Sequence, residues 1–215
     1  RWPYLAPEIR QVRFRAGDGF IDQVALANGY AAASSRAASI DGATGSGHAT
    51  YALETEVTGF VRDASGGVTG VTTSRGAVLA PHTVIAAGPW SGVVARLAGL
   101  DLPIAPTVRQ KLVIPDLPVP TDAAMAYALL DPASPTSLSL LAPFWRDVWR
   151  DGPPAWHLQA GQYEYTPDHR PFIGPTDQPG LYVNTGYSGH GVMCSAGGAR
   201  RTVDVLLGRA AADEE

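Results

Sequence analysis

The chain has 215 residues, of which 45% are hydrophobic and 17% are charged, so it can bury a core as one domain or two small ones. Its net charge is −4 and its 16 Lys and Arg residues are scattered, which argues against nucleic acid and anionic lipid as partners. Its apolar stretches fall far short of the ~20 residues that cross a bilayer. The single cysteine, Cys194, and the lack of a visible signal peptide favour a soluble protein of the reducing cytoplasm.

The first predicted element is a helix that follows the turn signal Asp18-Gly19. Asp22 can cap this helix, which we expect to continue to about Ala38. Its apolar positions recur at helical spacing: Val24, Ala27, Tyr30 and Ala31. The segment from Ser39 to Thr50 predicts a loop, and its Gly45-Ser46-Gly47 matches neither G-x-G-x-x-G nor the P-loop motif.

Two alternating stretches, Glu56 to Arg62 and Val68 to Ser74, predict a β-hairpin around Ser65-Gly66-Gly67. A third strand over Ala77 to Ala80 would complete a meander. Thr83 to Ala87 is almost continuously apolar, which is typical of a strand covered on both faces.

That strand leads into Gly88-Pro89-Trp90-Ser91 and a predicted helix to Leu97. A strand, a glycine turn and a helix in this order bring backbone close to a ligand. Thr107 to Ile114 predicts another strand, after which several prolines interrupt any regular element. Leu140 to Arg150 carries four large side chains at helical spacing, which we interpret as core packing: Phe144, Trp145, Val148 and Trp149.

The C-terminal quarter begins with a strand from His157 to Tyr165, a turn at Thr166-Pro167-Asp168 and a strand from Leu181 to Thr185. The glycine-rich segment Gly186 to Gly191 then opens a helix. Its predicted apolar face consists of Val192, Met193, Ala196, Ala199, Val203 and Leu206.

The turn from Gly186 to Gly191 suits a flat anionic ligand, because its glycines expose backbone and the following helix N-terminus carries partial positive charge. Reduced flavin develops negative charge at its pyrimidine side, so a helix N-terminus placed there would stabilise it. An ordinary glycine-rich helix entry, with His190 capping or packed, is the alternative interpretation.

Other chemistries fit these residues poorly. Ser188 is no hydrolase nucleophile of the G-x-S-x-G type, because His190 stands where that motif requires glycine. The five histidines and one cysteine show none of the short spacings of a zinc site, so we expect no metal. Asp168-His169 is an acid/base candidate, but an Asp that follows Thr-Pro more often pins its own turn through backbone hydrogen bonds.

Several stretches, taken in order and with their spacing, resemble the D-amino-acid oxidase and sarcosine oxidase superfamily of FAD enzymes. They are Asp18-Gly19-Phe20-Ile21-Asp22, Glu56-Val57-Thr58-Gly59, Ala86-Ala87-Gly88-Pro89-Trp90-Ser91, Tyr163-Glu164-Tyr165-Thr166-Pro167-Asp168-His169-Arg170-Pro171-Phe172-Ile173-Gly174, and Asn184-Thr185-Gly186-Tyr187-Ser188-Gly189-His190-Gly191. The resemblance implies a chain that corresponds to the C-terminal part of such an enzyme, without its N-terminal G-x-G-x-x-G unit.

The resemblance also implies roles for single residues. Val57 would contact the adenine part of FAD, and Ala87 and Gly88 would line the cofactor. The residues beside the isoalloxazine ring would be Gly189, His190, Gly191, Val192 and Met193. Tyr163 would face the substrate and, with His190, is the predicted catalytic residue. A tyrosine at this place favours secondary or N-methyl amines, as in sarcosine oxidases, over the arginine-clamped substrates of glycine and D-amino-acid oxidases.

Two departures from sarcosine oxidases are visible in the same motifs. Met193 takes the place of a lysine that holds the substrate carboxylate, and Gly161 takes the place of a cysteine that links flavin covalently. We therefore expect non-covalent FAD and either another cation or a different substrate. The stretch from Pro115 to Ala155 is also short for the family's substrate-domain sheet.

We therefore expect an α/β to α+β fold. Residues 1–105 and 157–215 would form a partial FAD-binding domain, and residues 106–156 a shortened antiparallel substrate domain. The expected activity is oxidation of an amine or amino acid, of the sarcosine, glycine or proline type, by hydride transfer to flavin. The alternatives are a non-catalytic remnant or binding module of this fold, and one half of a split flavoenzyme whose dinucleotide-binding segment comes from a separate chain.

Overall fold

The computed structural model describes residues 5–10, 21–36, 47–113, 143, 146, 150 and 157–209. The chain forms two compact units, one containing Arg1–Asp18 and Val108–Gln162 and the other containing Gly19–Thr107 and Tyr163–Glu215. Helices and sheets are mixed along the chain, which confirms the predicted fold class.

The first helix, α1, spans Gln23–Arg36 and begins at the predicted cap. Oδ1 of Asp22 accepts hydrogen bonds from the backbone N–H groups of Val24 and Ala25, each at 2.9 Å. The apolar side chains of α1 are nevertheless unpacked: Val24 is 61% exposed, Tyr30 is 59% exposed, and no residue of the helix is buried. The predicted last two residues of this helix lie outside the described ranges.

The predicted meander is confirmed as three antiparallel strands, β1 (Val57–Arg62), β2 (Val68–Thr73) and β3 (Gly76–Leu79). Asp63 closes the loop between β1 and β2, where its Oδ1 accepts hydrogen bonds from the Ser65 hydroxyl at 2.6 Å and the Ser65 N–H at 2.8 Å. The Ser65 hydroxyl bond is the main reason why the pKa of Asp63 lies below its ordinary value.

A second sheet contains one parallel and one antiparallel pair. We name the strands of the two remaining sheets in chain order: β4 (Thr83–Ile85), β5 (Ala105–Val113), β6 (His157–Tyr165), β7 (Phe172–Pro175) and β8 (Leu181–Thr185). In the second sheet β8 is central, with β4 parallel on one side and β7 antiparallel on the other. The strand β4 ends two residues before the predicted Ala87.

The glycine turn after β4 forms a short 3-10 helix, Gly88–Trp90, that continues into helix α2 (Ser91–Leu97), as predicted. The buried core lies between α2, the meander and the second sheet, and contains Val68, Ile85, Ala95, Ala98, Leu181 and Val183. Leu181 and Ala95 have no exposed surface, so the central strand and α2 share one apolar centre.

Arg62, the last residue of β1, joins three distant segments. One guanidinium nitrogen donates to the carbonyl oxygen of Gly66 at 2.8 Å. The other lies 2.9 Å from the carbonyl oxygen of Ala98 and 2.6 Å from Oε1 of Gln178. Because Ala98 caps the C-terminus of α2, the cation also complements the negative end of that helix.

The strands β5 and β6 form a two-stranded sheet, which matches the predicted strands at Thr107 to Ile114 and His157 to Tyr165. The aromatic side chains predicted to pack between Leu140 and Arg150 lie outside the described residues.

The last helix, α3, spans Gly191–Leu206, and most of its predicted apolar face is exposed. Val192, Met193 and Val203 are 52%, 76% and 48% exposed, whereas the buried positions are Gly198 and Thr202. The helix therefore approaches the second sheet through small residues, because large ones would hold it further away. None of the helices within the described ranges is long and apolar enough to cross a membrane.

Candidate functional site

The carboxyl ends of β4 and β8 lie at the same edge of the second sheet, because these neighbouring strands are parallel. Each strand is followed by a glycine turn and then by a helix. The two turns are adjacent: Oγ1 of Thr185, at the end of β8, lies 3.4 Å from the carbonyl oxygen of Gly88 and 2.7 Å from Oγ of Ser91. Ligands of open α/β sheets bind at such an edge.

The turn after β8 is held in place by the end of β6. The N–H of Ser188 donates to the carbonyl oxygen of Glu164 at 3.0 Å, and Oγ of Ser188 accepts from the N–H of Thr166 at 3.3 Å. Ser188 is only 4% exposed and has a φ of 51°. Its hydroxyl is therefore used to close the turn, which agrees with its rejection as a nucleophile.

Tyr163 lies directly against this turn. Gly189 has a φ of 90°, and a Cβ added there would lie 2.5 Å from Cε2 of Tyr163, which is closer than real contacts allow. The aromatic ring thus covers the space that a side chain at position 189 would need. Tyr163 also lies 6.1 Å from the ring of Tyr165, measured between centroids. The predicted substrate-facing residue and the predicted flavin-facing turn are brought together.

The side chain of Glu164 points to the other face of β6, since successive strand residues alternate. Its Oε2 accepts from the Thr185 hydroxyl at 2.9 Å, and its Oε1 accepts from the N–H of Tyr187 at 3.3 Å. Sequence reasoning missed this residue. The sequence did contain a signal for it: Glu164 is the only acidic residue in β6, and it follows Tyr163, so its side chain points to the opposite face of the strand.

The N-terminus of α3 is held without a side-chain cap. His190 is the cap residue, with a φ of −100°, and its side chain makes no capping hydrogen bond. The alternative in which the His190 side chain caps this helix is therefore wrong. The first N–H groups of a helix have no partner inside it, so those of Gly191, Val192 and Met193 can serve an anion.

The backbone is uncrowded at both glycine turns. A Cβ added at Gly88 would meet nothing nearer than Oε2 of Glu164, at 3.7 Å, and one added at Gly191 nothing nearer than Cβ of Tyr187, at 3.8 Å. Backbone that is open on one side, together with an uncapped helix N-terminus, is a donor set that fits the edge of a flavin. The residues present are therefore compatible with the flavin part of FAD.

A polar network anchors α3 behind the turn. The Tyr187 hydroxyl donates to Oδ1 of Asn184 at 2.5 Å, and Nδ2 of Asn184 donates to Oγ1 of Thr202 at 2.8 Å. Burial is the main reason why the pKa of Tyr187 is raised above its ordinary value. The tyrosine therefore stays a neutral hydrogen-bond donor, and its ring packs against Gly198.

The remaining predicted site residues lie in different places. Ala87 precedes the 3-10 helix and is exposed, as are Val192 and Met193 in the first turn of α3. Val57 instead begins β1 in the meander, where it pairs with Thr73, and shares no element with the others. The structure thus gathers the predicted flavin-ring residues but not the predicted adenine contact.

Asp168 behaves as the sequence indicated. Its Oδ1 accepts a hydrogen bond from the N–H of Arg170 at 3.0 Å, and this bond is the main reason why the pKa of Asp168 is lowered. The carboxylate closes a surface turn. In the portion of the chain that the structure describes, no three His, Cys, Asp or Glu residues form a group that could hold a metal ion.

Residues 1–147 and 150–205 match a family model described as FAD dependent oxidoreductase (DAO). Glycine oxidase from Pseudomonas aeruginosa is 30% identical over 183 residues, which are 73% of this chain and 50% of that protein. D-amino acid dehydrogenase from Methylobacterium nodulans is 30% identical over 178 residues, which are 70% of this chain and 42% of that protein. The chain thus spans about half the length of the curated relatives it matches.

Among solved structures, glycine oxidase from Geobacillus kaustophilus is similar to this chain with a TM-score of 0.60 and 21% sequence identity. The match covers 79% of this chain and 52% of that one. At this identity the likeness concerns the fold alone, and it agrees with the mixed fold described above.

Proposed function

We propose, from the premise that this chain belongs to the DAO family of FAD dependent oxidoreductases, that it provides the substrate-facing and flavin-facing part of an amine or amino-acid oxidoreductase. The observation that carries the proposal is the contact between Tyr163 and the Gly189 turn at the carboxyl ends of β4 and β8. FAD, when bound, supplies the hydride acceptor.

The chain's own residues would position both partners. The N–H groups of Gly191, Val192 and Met193 would hold the pyrimidine edge of the flavin, and the backbone of Ala87 and Gly88 would lie beside it. Val57, in the other sheet, remains the proposed adenine contact. Tyr163 would orient the substrate through its ring and hydroxyl, while the exposed His190 would offer a second polar group at the same opening.

The proposed substrate is a secondary or N-methyl amine. Tyr163 supports this choice, because a phenol accepts a bulky or neutral substituent where an arginine would demand a carboxylate. Met193 is uncharged and 76% exposed, so it offers no cation for an acid group. An amino-acid substrate would therefore require a cation other than these two residues, and non-covalent FAD fits the glycine at position 161.

A second candidate is that the chain works as one half of a split flavoenzyme. Two observations favour it: α1 exposes Val24 and Tyr30, and β4 lies at the edge of its sheet among the described strands. A βαβ unit with G-x-G-x-x-G, supplied by a separate chain, would cover apolar surface and cradle the phosphates. Two further predictions remain: the division into a flavin domain and a substrate domain, and a cytoplasmic location.

Flavin binding is the first test. We expect the purified chain, alone or co-expressed with a polypeptide that carries G-x-G-x-x-G, to show visible flavin absorbance and to quench the fluorescence of added FAD. If no flavin is bound in either preparation, both the enzyme and the split-enzyme hypotheses fail and the non-catalytic remnant is favoured.

Tyr163→Phe tests the substrate site in a preparation that binds FAD. We expect kcat/KM for N-methyl amines to fall about 10- to 100-fold, because one substrate hydrogen bond is worth roughly 1.5–3 kcal/mol when a charged group takes part. Flavin absorbance should be unchanged. Tyr30→Phe is the matched control, because Tyr30 is exposed on α1, and an equal loss of activity in both variants would contradict the assignment.

A further inference from the structure

We propose that Glu164 is the positioning residue of the flavin-facing turn, with its carboxylate tying together the two glycine turns on which the cofactor would lie. The role of Glu164 in holding the turns does not depend on the proposed function, but the expected effect on flavin binding rests on that function. The inference starts from the two oxygens of Glu164, which reach two different segments.

The first link runs to the turn after β8. Oε1 of Glu164 accepts from the N–H of Tyr187, and the backbone carbonyl of Glu164 accepts from the N–H of Ser188. One residue of β6 thus holds two successive N–H groups of the turn. These lie immediately before Gly189, whose backbone is pressed against the ring of Tyr163.

The second link runs through buried hydroxyls to the turn after β4. Oε2 of Glu164 accepts from the hydroxyl of Thr185, which is 1% exposed, and Oγ1 of Thr185 lies 2.7 Å from Oγ of the fully buried Ser91. Ser91 follows Gly88-Pro89-Trp90 and begins α2. The carboxylate is therefore two hydrogen bonds away from the Gly88 turn.

The direction of these hydrogen bonds follows from proton counting. A glutamate carboxylate can only accept, and the Thr185 hydroxyl has one proton, so Thr185 donates to Glu164 and accepts from Ser91. Charge-assisted hydrogen bonds are about twice as strong as neutral ones. The negative charge on Glu164 thus orders a chain of two buried hydroxyls that would otherwise have several arrangements.

Tyr163 and Glu164 contact the turn after β8 from opposite faces of β6. Tyr163 contacts the turn from the face proposed for the substrate, and Glu164 holds the same turn from the opposite face. A shift of β6 would move both together. The distance between the Tyr163 ring and the N-terminus of α3 is therefore set largely by Glu164.

Glu164→Leu and Glu164→Gln separate this role from simple packing. Leucine has a similar size but accepts nothing, so we expect backbone amide exchange at Tyr187 and Ser188 to become at least tenfold faster. Glutamine keeps an oxygen for the Tyr187 N–H, and its amide can donate to Thr185, whose proton then turns to Ser91. Exchange in Glu164→Gln should stay within threefold of the unaltered chain, as measured by hydrogen exchange and mass spectrometry or NMR.

Glu54→Leu is the matched control, because Glu54 is an exposed carboxylate before β1 that contacts Arg75, in the turn between β2 and β3, at 3.8 Å. It should leave the turn amides unchanged. Unchanged exchange in Glu164→Leu would overturn the proposal. An equal acceleration of the core amides of Leu181 and Val183 would also overturn it, because it would indicate global loss of stability.

The consequence for cofactor is measured by fluorescence titration with FAD. We expect the dissociation constant to rise at least tenfold in Glu164→Leu and less than threefold in Glu164→Gln. An unchanged constant in Glu164→Leu would overturn this consequence. If the unaltered chain takes up no FAD, either alone or together with a chain that carries G-x-G-x-x-G, the proposed function fails, while the exchange result still decides the role of Glu164.

Discussion

The N-termini of α1 and α3 are built in opposite ways. The helix α1 is capped locally by Asp22, which accepts two N–H groups, and the helix has no buried residue. The helix α3 has no side-chain cap, yet Gly198 and Thr202 are buried against the second sheet. At α1 the first N–H groups are hydrogen-bonded by a residue next to them in sequence. At α3 the N-terminus is held by tertiary contacts, and its first N–H groups remain available to a ligand.

This difference explains why only one of the two helix starts is a credible site. A capped N-terminus has already used its hydrogen-bonding capacity and part of its positive potential on a carboxylate. At α3 the turn is fixed from behind by Glu164, Asn184 and Ser188, so the free N–H groups are oriented before any ligand arrives. Such preorganisation favours binding of an anionic group.

The largest expected effect comes from Gly189→Ala at the entry of α3. The alanine would adopt a φ of 90° and displace the Tyr163 ring, so we expect a loss of about 2–5 kcal/mol in the free energy of unfolding, from backbone strain plus overpacking. Urea denaturation measures this loss, and FAD uptake should disappear with it.

Gly66→Ala is the matched control for that substitution. Gly66 also has a φ of 90°, but a Cβ there would meet no atom within 4 Å, so only the strain of about 1–2 kcal/mol remains. Equal losses in the two variants would show that the contact between Tyr163 and the turn is not required.

Asp22→Ala removes the cap of α1 and should have a smaller effect. Loss of an N-cap costs about 0.5–2 kcal/mol, and far-ultraviolet circular dichroism should report reduced helix content. Asp22→Asn keeps a capping oxygen and should restore most of it. If Asp22→Ala changed the backbone amide hydrogen exchange of Tyr187, the N-termini of α1 and α3 would not be stabilised independently of each other.

The smallest effect concerns the Asp168 turn, which is a second example of local closure by a carboxylate. The folded-state pKa of Asp168 is below its ordinary value of 3.8, so its stabilising contribution is present above pH 3.8 and is lost as the pH falls through the lowered value. Asp168→Ala should be slightly less stable than the unaltered chain at pH 7, and the gap should close at low pH. Urea denaturation at both pH values measures it, and a gap that widens on acidification would contradict the assignment.

Sequence patterns predicted most of the strands, because alternation and continuous apolar runs report directly on which faces are covered. β6 and β8 were predicted with their observed bounds, and the meander within one or two residues. β7 was missed, since Phe172–Pro175 is short and contains glycine and proline, which conceal its pairing with β8.

The helices show that a pattern of apolar residues does not reveal which residues make the packing contacts. The predicted apolar face of α3 consists of its large side chains and alanines, whereas the close contact with the rest of the chain is made by Gly198 beneath Tyr187. The glycine turns and Tyr163 were singled out from the sequence, and their roles at the candidate site stay predictions. Glu164, Thr185 and Ser91 were not predicted, because their roles arise from the approach of three segments that are far apart in sequence.

The Arg62 guanidinium has a consequence for how the molecule opens. It joins the end of the meander to the C-terminus of α2 and to the loop before β8, so separating any of the three segments breaks at least one of these hydrogen bonds. We therefore expect these segments to unfold as a single cooperative unit, while local opening is confined to elements such as α1 that share no such bond. The second sheet that carries the glycine turns belongs to the slowly opening part of the molecule.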